Sequence, residues 1–280
     1  MSHDTPISAP KLPTPPGACD THIHVYEPGY EMRPGGNRPS QPGTLAHYRL
    51  VKQQLGLART VIVQPSAYGT DNACTVEAIR KLGDDARGVA IVDPAVSDEE
   101  LARLDRSGIR GVRYHMRSSV VSWDSMPEMA ARVAPLGWHV QLQCASHELA
   151  EREAVITKLP CGLVVDHMGR FDHSTPETDR SWRLLLRLLA TGRCWVKLSG
   201  PYYGSKSGPP LYADKARIAK ALIKAAPERM VWASNWPHPS FKNNFPDEGK
   251  LLDTLAEWTA GDEKLRRRIL VDNPAKLYGF

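Results

Sequence analysis

Short apolar runs rich in β-branched residues alternate along the chain with amphipathic stretches. That is the pattern of parallel strands, buried on both faces and joined by helical crossovers. Eight such runs can be counted: Ala18 to Val25, Thr60 to Ser66, Gly88 to Asp93, Ile109 to His115, Trp138 to Cys144, Gly162 to His167, Trp195 to Ser199 and Met230 to Asn235. Their mean spacing of about 30 residues suits a βα unit. Ser97 with Glu100, and Ser125 with Glu128, have the spacing of capping boxes, in which each side chain satisfies an otherwise unpaired backbone N–H. Thr175 before Pro176 predicts another helix start, because proline at the first helical position loses a donor that had no partner. Gly83, Gly108, Gly137 and Gly192 stand where these helices should stop. Count, order and caps predict a single-domain α/β protein, a (β/α)8 TIM-type barrel over residues 18–280 preceded by a Pro-rich arm at residues 1–17. The segment from Asp247 to Phe280 should supply the eighth crossover and a closing helix.

The length of 280 residues accommodates such a barrel, which typically uses about 250. A hydrophobic fraction of 41% and a charged fraction of 24% match a soluble globular protein able to bury a large core. No apolar run approaches the roughly 18 residues of a membrane span; Leu184 to Leu189 comes nearest and is broken by Arg187. The first seventeen residues lack the basic start and apolar segment of a secretory signal. Five cysteines, odd in number and without a C-x-x-C pair, suggest neither a disulfide framework nor a structural zinc site, so a cytoplasmic protein is expected. Basic residues exceed acidic ones by 36 to 31, but Arg266, Arg267 and Arg268 form the only dense cluster and suit a solvated helix face rather than nucleic-acid binding. A serine-hydrolase elbow, a dinucleotide fingerprint and a P-loop are all lacking.

Barrel active sites lie at the C-terminal ends of the strands, which directs attention to the polar residues there. The first strand ends in Asp20-Thr21-His22-Ile23-His24, and residues two apart in a strand point the same way. Both imidazoles therefore face the barrel mouth, where they could ligate a metal, act as acid, base and donor without one, or simply pack. On the sixth strand, alternation from Leu163 and Val165 turns His167 inward and Asp166 outward. On the fourth, Arg113, His115 and Arg117 share one parity, and an arginine fork matches a carboxylate in bidentate fashion. Ser66 and Tyr68 after the second strand, Gln143 on the fifth, and Tyr202 and Tyr203 after the seventh could bind hydroxyls or a second acid group. The eighth strand ends in a polar, proline-stiffened segment that carries Asn235 and His238.

Together the D-x-H-x-H of strand one, the D-H-M-G at Asp166 to Gly169 and the W-x-x-N-W-P-H-P from Trp232 to Pro239 resemble the amidohydrolase-2 family, from about Gly17 to the C-terminus. Gln64 to Asn72, Ala86 to Pro94 and Asn273 to Tyr278 are most similar to its 2-pyrone-4,6-dicarboxylate lactonase branch. Asn235, Gly29-Tyr30, Pro34-Gly35-Gly36 and the stretch from Lys197 to Ser205 resemble aldarolactone isomerases instead.

The resemblance implies a distorted barrel that hydrolyses or rearranges a small anionic lactone, often without a metal. The lactonase branch carries an Asp where Asn235 stands, expected there as general base toward water, and an amide cannot take that proton. It also carries an arginine after strand seven, where this chain has Tyr202 and Tyr203. The expected catalytic groups are His22, His24, His167 and Asn235. The expected substrate-binding groups are Arg113, Arg117, His115, Ser66, Tyr68, Gln143, Tyr202, Tyr203 and His238. His22, His24 and the Asn235 amide are expected to donate to the developing oxyanion. No cofactor is expected, because Gln141, Gln143 and Asn235 stand where metal-binding relatives place imidazole and carboxylate ligands; a zinc on His22, His24 and His167 is the alternative. Hydrolysis with a histidine as base, isomerisation by a substrate hydroxyl, and an inactive or substrate-trapping barrel follow as competing functions.

Overall fold

The structure, a computed structural model, describes residues 7–118, 120–172, 175 and 177–280. Eight strands form one parallel sheet in sequence order: β1 (Cys19–Ile23), β2 (Arg59–Val63), β3 (Ala86–Ala90), β4 (Ile109–His115), β5 (His139–Gln143), β6 (Gly162–Val165), β7 (Cys194–Leu198) and β8 (Met230–Trp232). Each lies within or beside one of the eight apolar runs. The barrel closes at its upper rim, where Ile23 bridges to Trp236, Asn235 N donates to His22 O and His24 N donates to Trp236 O. The helices are α1 (Leu45–Leu55), α2 (Ala73–Leu82), α3 (Asp98–Arg106), α4 (Met126–Val133), α5 (Ser146–Glu151), α6 (Glu153–Ile156), α7 (Arg180–Ala190), α8 (Ala216–Ala225), α9 (Glu248–Trp258), α10 (Glu263–Arg267) and α11 (Asn273–Tyr278).

Ser97 caps α3 by accepting from Glu100 N, whereas the Glu100 carboxylate turns to Arg103 instead of completing a box. The expected box at Ser125 is not formed. Ser125 Oγ donates to Ser122 O and pairs with Tyr114 Oη, so it is committed to the preceding turn rather than to the helix. The helix expected from Thr175 begins later, at Arg180, because Asp179 accepts from Trp182 N and outcompetes the earlier signal; Pro176 lies outside the described residues.

The barrel interior is layered. At the bottom, Cys19, Val61, Val63 and Val89 pack on Tyr278 of α11, while Val164, Trp195 and Val231 form a second apolar group that shares Leu277. Above them lies a polar layer of His22, Gln141, Asp166 and Lys197, all fully buried or within 1% of it. The main hydrophobic core fills the space between sheet and helices.

Candidate active site

A cavity of about 440 Å3 opens above the polar layer at the C-terminal ends of the strands. Its walls include the side chains of His24, His115, His167, Arg33, Arg113, Arg117, Arg170, Ser66, Gln143, Tyr203 and Asn235. Four arginines and three histidines face it, and no carboxylate does among the described residues. Such a site concentrates anions.

The parity of β4 delivers Arg113, His115 and Arg117 to this cavity as expected. Arg113 is buried, donating from one terminal nitrogen to Gln64 O (2.8 Å) and from the other to Gln143 Oε1 (3.0 Å), while its Nε has no partner. Its fork is thereby held in one orientation with donor capacity unspent. Gln143 acts first as the support of Arg113. Ser66 Oγ lies 3.4 Å from His115 Nδ1, and burial, aided by the charge of Arg113, lowers that imidazole to about 3. Arg117 stands exposed at the rim.

Arg33 and Arg170 were not anticipated. Arg33 comes from the long loop after β1 and is fastened to Ser66 O and Ser118 O; Arg170 follows β6 and stacks 4.2 Å from the ring centroid of Tyr203. Neither sits in a periodic segment, so strand parity gave no signal for them. The Pro34-Gly35-Gly36 turn beside Arg33 was the available hint: a Cβ on Gly36 would collide with the backbone of Ala67, so only glycine lets this loop close over the site.

The two histidines of β1 share a side, but at different depths. The register of β1 against β2 slips between Asp20 and Ile23, which separates the outward Asp20 from the inward His22 and His24. Asp20 binds Ser234 and Tyr48 behind the barrel wall, and burial raises its carboxyl to about 6. His24 reaches the cavity; His22 lies beneath it, with the two Nε2 atoms 3.3 Å apart. Their proton positions follow from their partners. Val63 O can only accept, so His24 Nδ1, at 2.7 Å, carries its proton and Nε2 is the acceptor for His22 Nε2–H. His22 Nδ1, 3.4 Å from both Lys197 Nζ and Asp166 Oδ1, then accepts from the ammonium, the carboxylate oxygen making no hydrogen bond there. Burial holds both imidazoles well below their usual pKa. The expected pair of oxyanion donors is thus absent from the free protein: the Nε2–H of His22 is spent on the Nε2 lone pair of His24, and the one proton of His24 is spent on Val63 O.

On β6 Leu163 and Val165 face the helices and Val164 the interior, so alternation through the still extended Asp166 turns that carboxylate inward, where it accepts from Gln141 Nε2 at 3.1 Å. His167 reaches the inside as well because the strand ends at Val165 and His167 and Met168 enter the left-handed region, at φ 53° each. His167 lines the cavity with Nδ1 2.8 Å from Ser199 Oγ, and burial lowers its pKa strongly.

Tyr68, Tyr202 and His238, expected to touch substrate, lie behind the cavity wall. Tyr68 Oη turns to Glu27 O, and Tyr202 and His238 bond to each other. Tyr203 does line the cavity. Asn235 does too, but its Nδ2 is committed to Tyr202 Oη at 2.7 Å and Tyr203 Oη at 3.4 Å, so the amide offers its oxygen rather than the expected donor.

The metal alternative also changes. The ligand atoms that gather within 4.8 Å are those of His22, Asp166 and His167, without His24. This set does not fit a divalent ion. Lys197 Nζ stands 3.4 Å from His22 Nδ1 and 3.8 Å from Asp166 Oδ1, where its ammonium already supplies the positive charge that the otherwise unpartnered Oδ1 requires. Burial lowers Lys197 only to about 8, which leaves it charged at neutral pH. Two further acceptors, Thr21 O at 2.7 Å and Gln141 Oε1 at 2.8 Å, hold it in place.

Comparison with known proteins agrees with this architecture. A 2-pyrone-4,6-dicarboxylate hydrolase of Comamonas testosteroni is 36% identical, covering 97% of this chain and 93% of that protein. A D-galactarolactone isomerase of Agrobacterium fabrum is 32% identical, covering 97% and 94%. An apo crystal structure from Agrobacterium tumefaciens superposes with a TM-score of 0.90 at 31% identity, covering 98% of this chain and 97% of that one. The amidohydrolase family pattern matches residues 19–280, and the chain belongs to the amidohydrolase family.

Proposed function

We propose that this protein opens the ester bond of a small carboxylated lactone, with water as nucleophile and without a resident metal. The observation that carries the proposal is the cavity itself, with its four arginines, three histidines and no carboxylate at the catalytic end of the barrel. Arg113 and Arg117, joined by Arg33 and Arg170, hold the substrate acid group. The ester carbonyl lies over His24, His167 and Asn235. His167 takes the proton of the nucleophile: its imidazole is kept neutral by burial and oriented by Ser199. The oxygen of the nucleophile bonds to the acyl carbon, the ring C–O bond breaks, and the leaving alkoxide recovers the proton from His167. Charge on the tetrahedral oxygen is met by the terminal N–H groups of Arg113 that are not spent on Gln64 O and Gln143 Oε1. The names of the relatives support this substrate class. Metal independence is supported by Lys197 in the polar layer, and a cytoplasmic location by five free, buried cysteines. Among the described residues no helix is long and apolar enough to cross a membrane.

A second reading, isomerisation, is favoured by one observation. Asn235 presents an amide oxygen where a hydrolase would profit from a carboxylate, and an acceptor that cannot be protonated suits a substrate hydroxyl attacking its own lactone. Incubation with a panel of carboxylated aldarolactones and muconolactones in 18O-labelled water, followed by NMR and mass spectrometry, tests both. Ring-opened acid carrying one 18O is the expected product. Ring-shifted lactone without label establishes isomerisation, and no turnover of any lactone removes both.

A further inference from the structure

Behind Asn235, on the side away from the cavity, a line of hydrogen-bonded side chains ends on a buried carboxylate. Asn235 Nδ2 donates to Tyr202 Oη at 2.7 Å, Tyr202 Oη lies 3.2 Å from His238 Nδ1, and His238 Nε2 lies 3.1 Å from Glu248 Oε1. Asn235, His238 and Glu248 are each at most 3% exposed and Tyr202 between them is half-buried, so the line is largely shielded from water. Their direction is set from the far end. A carboxylate accepts, so His238 Nε2 carries a proton, and a neutral imidazole then offers Nδ1 as acceptor. Tyr202 has one proton and gives it to Nδ1. Its oxygen is left to receive the N–H of Asn235.

Glu248 is itself anchored. It opens α9, whose preceding residue Asp247 caps the helix by accepting from Gly249 N and Lys250 N. The same carboxylate takes the N–H and hydroxyl of Ser8. Ser8 O lies where a Cβ of residue 249 would be, so Gly249 is what allows the N-terminal segment to lie against the start of α9.

We propose that Glu248, His238 and Tyr202 are positioning residues that lock the Asn235 amide with Nδ2 turned away and Oδ1 presented to the cavity. Asn235 thereby becomes the acceptor that orients a hydroxyl beside the lactone carbonyl, not a donor to the oxyanion. A neutral acceptor aims the O–H of the nucleophile and turns its lone pair toward the acyl carbon, while the proton itself passes to His167. The proposal rests on the lactone reading of the cavity. The relay also explains why an amide can be used at position 235: an unsupported amide has two nearly isosteric orientations, and only one of them is an acceptor.

The test uses Tyr202→Phe, His238→Leu and His238→Asn in the full chain, with folding checked by circular dichroism. On a lactone that the wild type turns over, Tyr202→Phe and His238→Leu should lose about 10–100-fold in kcat with KM unchanged. His238→Asn, which can keep an acceptor oxygen toward Tyr202, should recover most of that loss. In an Asn235→Ala background, His238→Leu should cost nothing further. An equal cost of His238→Leu in both backgrounds, or a change in KM alone, overturns the relay. A second readout does not depend on turnover. The 15N side-chain resonances of Asn235 should show slow solvent exchange in the wild type and fast exchange in Tyr202→Phe. If no lactone is consumed, the functional reading fails while this measurement still decides the relay, and equally fast exchange in both proteins overturns it.

Discussion

Lys197 Nζ and Asp166 Oδ1 each lie 3.4 Å from His22 Nδ1, but only the ammonium makes a hydrogen bond to it, so the first histidine of the D-x-H-x-H strand sits beside a buried ion pair with its Nδ1 bonded to the cation. The contact orders a chain of protons from Lys197 through His22 to His24 and keeps the polar layer neutral overall against Asp166.

Replacing this lysine by an apolar residue of similar length should therefore be costly. Lys197→Met strips donors from Thr21 O and Gln141 Oε1 and leaves Asp166 without its cation. A loss of about 3–5 kcal/mol is expected, as for other broken buried pairs. Urea unfolding measures it; a loss below about 1 kcal/mol would show that the layer does not depend on the ammonium.

Acid should unfold the protein earlier than carboxylate titration alone would. His22, His24, His115, His139 and His167 all have lowered pKa values, first of all because of burial. Below pH 6.5 the unfolded chain binds protons at these positions that the folded chain refuses, so stability rises with pH in this window and is lost as pH falls. Asp20, raised by burial to about 6 from 3.8, works in the opposite sense between those values, but it is one group against five. The urea midpoint should drop steeply from pH 6.5 to 5. A flat midpoint across that range would mean that the imidazoles charge within the folded state.

Arg113→Lys should weaken substrate binding, since a point charge cannot hold Gln64 O and Gln143 Oε1 while also presenting a fork to the ligand. The expected loss is about 1.5–3 kcal/mol, seen as a raised KM. A wild-type KM in this variant would place Arg113 outside the binding site.

Asn235→Asp probes the nucleophile. A carboxylate at this position adds a base at the cavity wall, and hydrolysis should rise by roughly 10²–10⁴-fold. If the native reaction is ring shift by a substrate hydroxyl, the added negative charge opposes the oxyanion and the reaction slows. Product ratios by NMR distinguish the two outcomes, and an unchanged rate would remove position 235 from the chemistry.

Local periodicity in the sequence determined the eight strands, their parallel order and the parity that sends Arg113 and His115 to one face, because alternation and caps are written within a few consecutive residues. The same local rule misplaced Asp166, because a strand apolar on both faces does not say which parity is inward, and only the packed barrel turns Leu163 and Val165 to the helices and Val164 to the interior. Arg33 and Arg170 reach the cavity from irregular loops, and Lys197 meets His22 only when closure of the barrel brings β1 and β7 to either side of β8. The direction of the Asn235 amide is set through a line of three contacts, from Glu248 at the start of the next helix through His238 and Tyr202. These relationships join residues tens to nearly two hundred positions apart. Barrel closure and burial, which fix partners and strip away water, decided what each of those side chains can donate or accept.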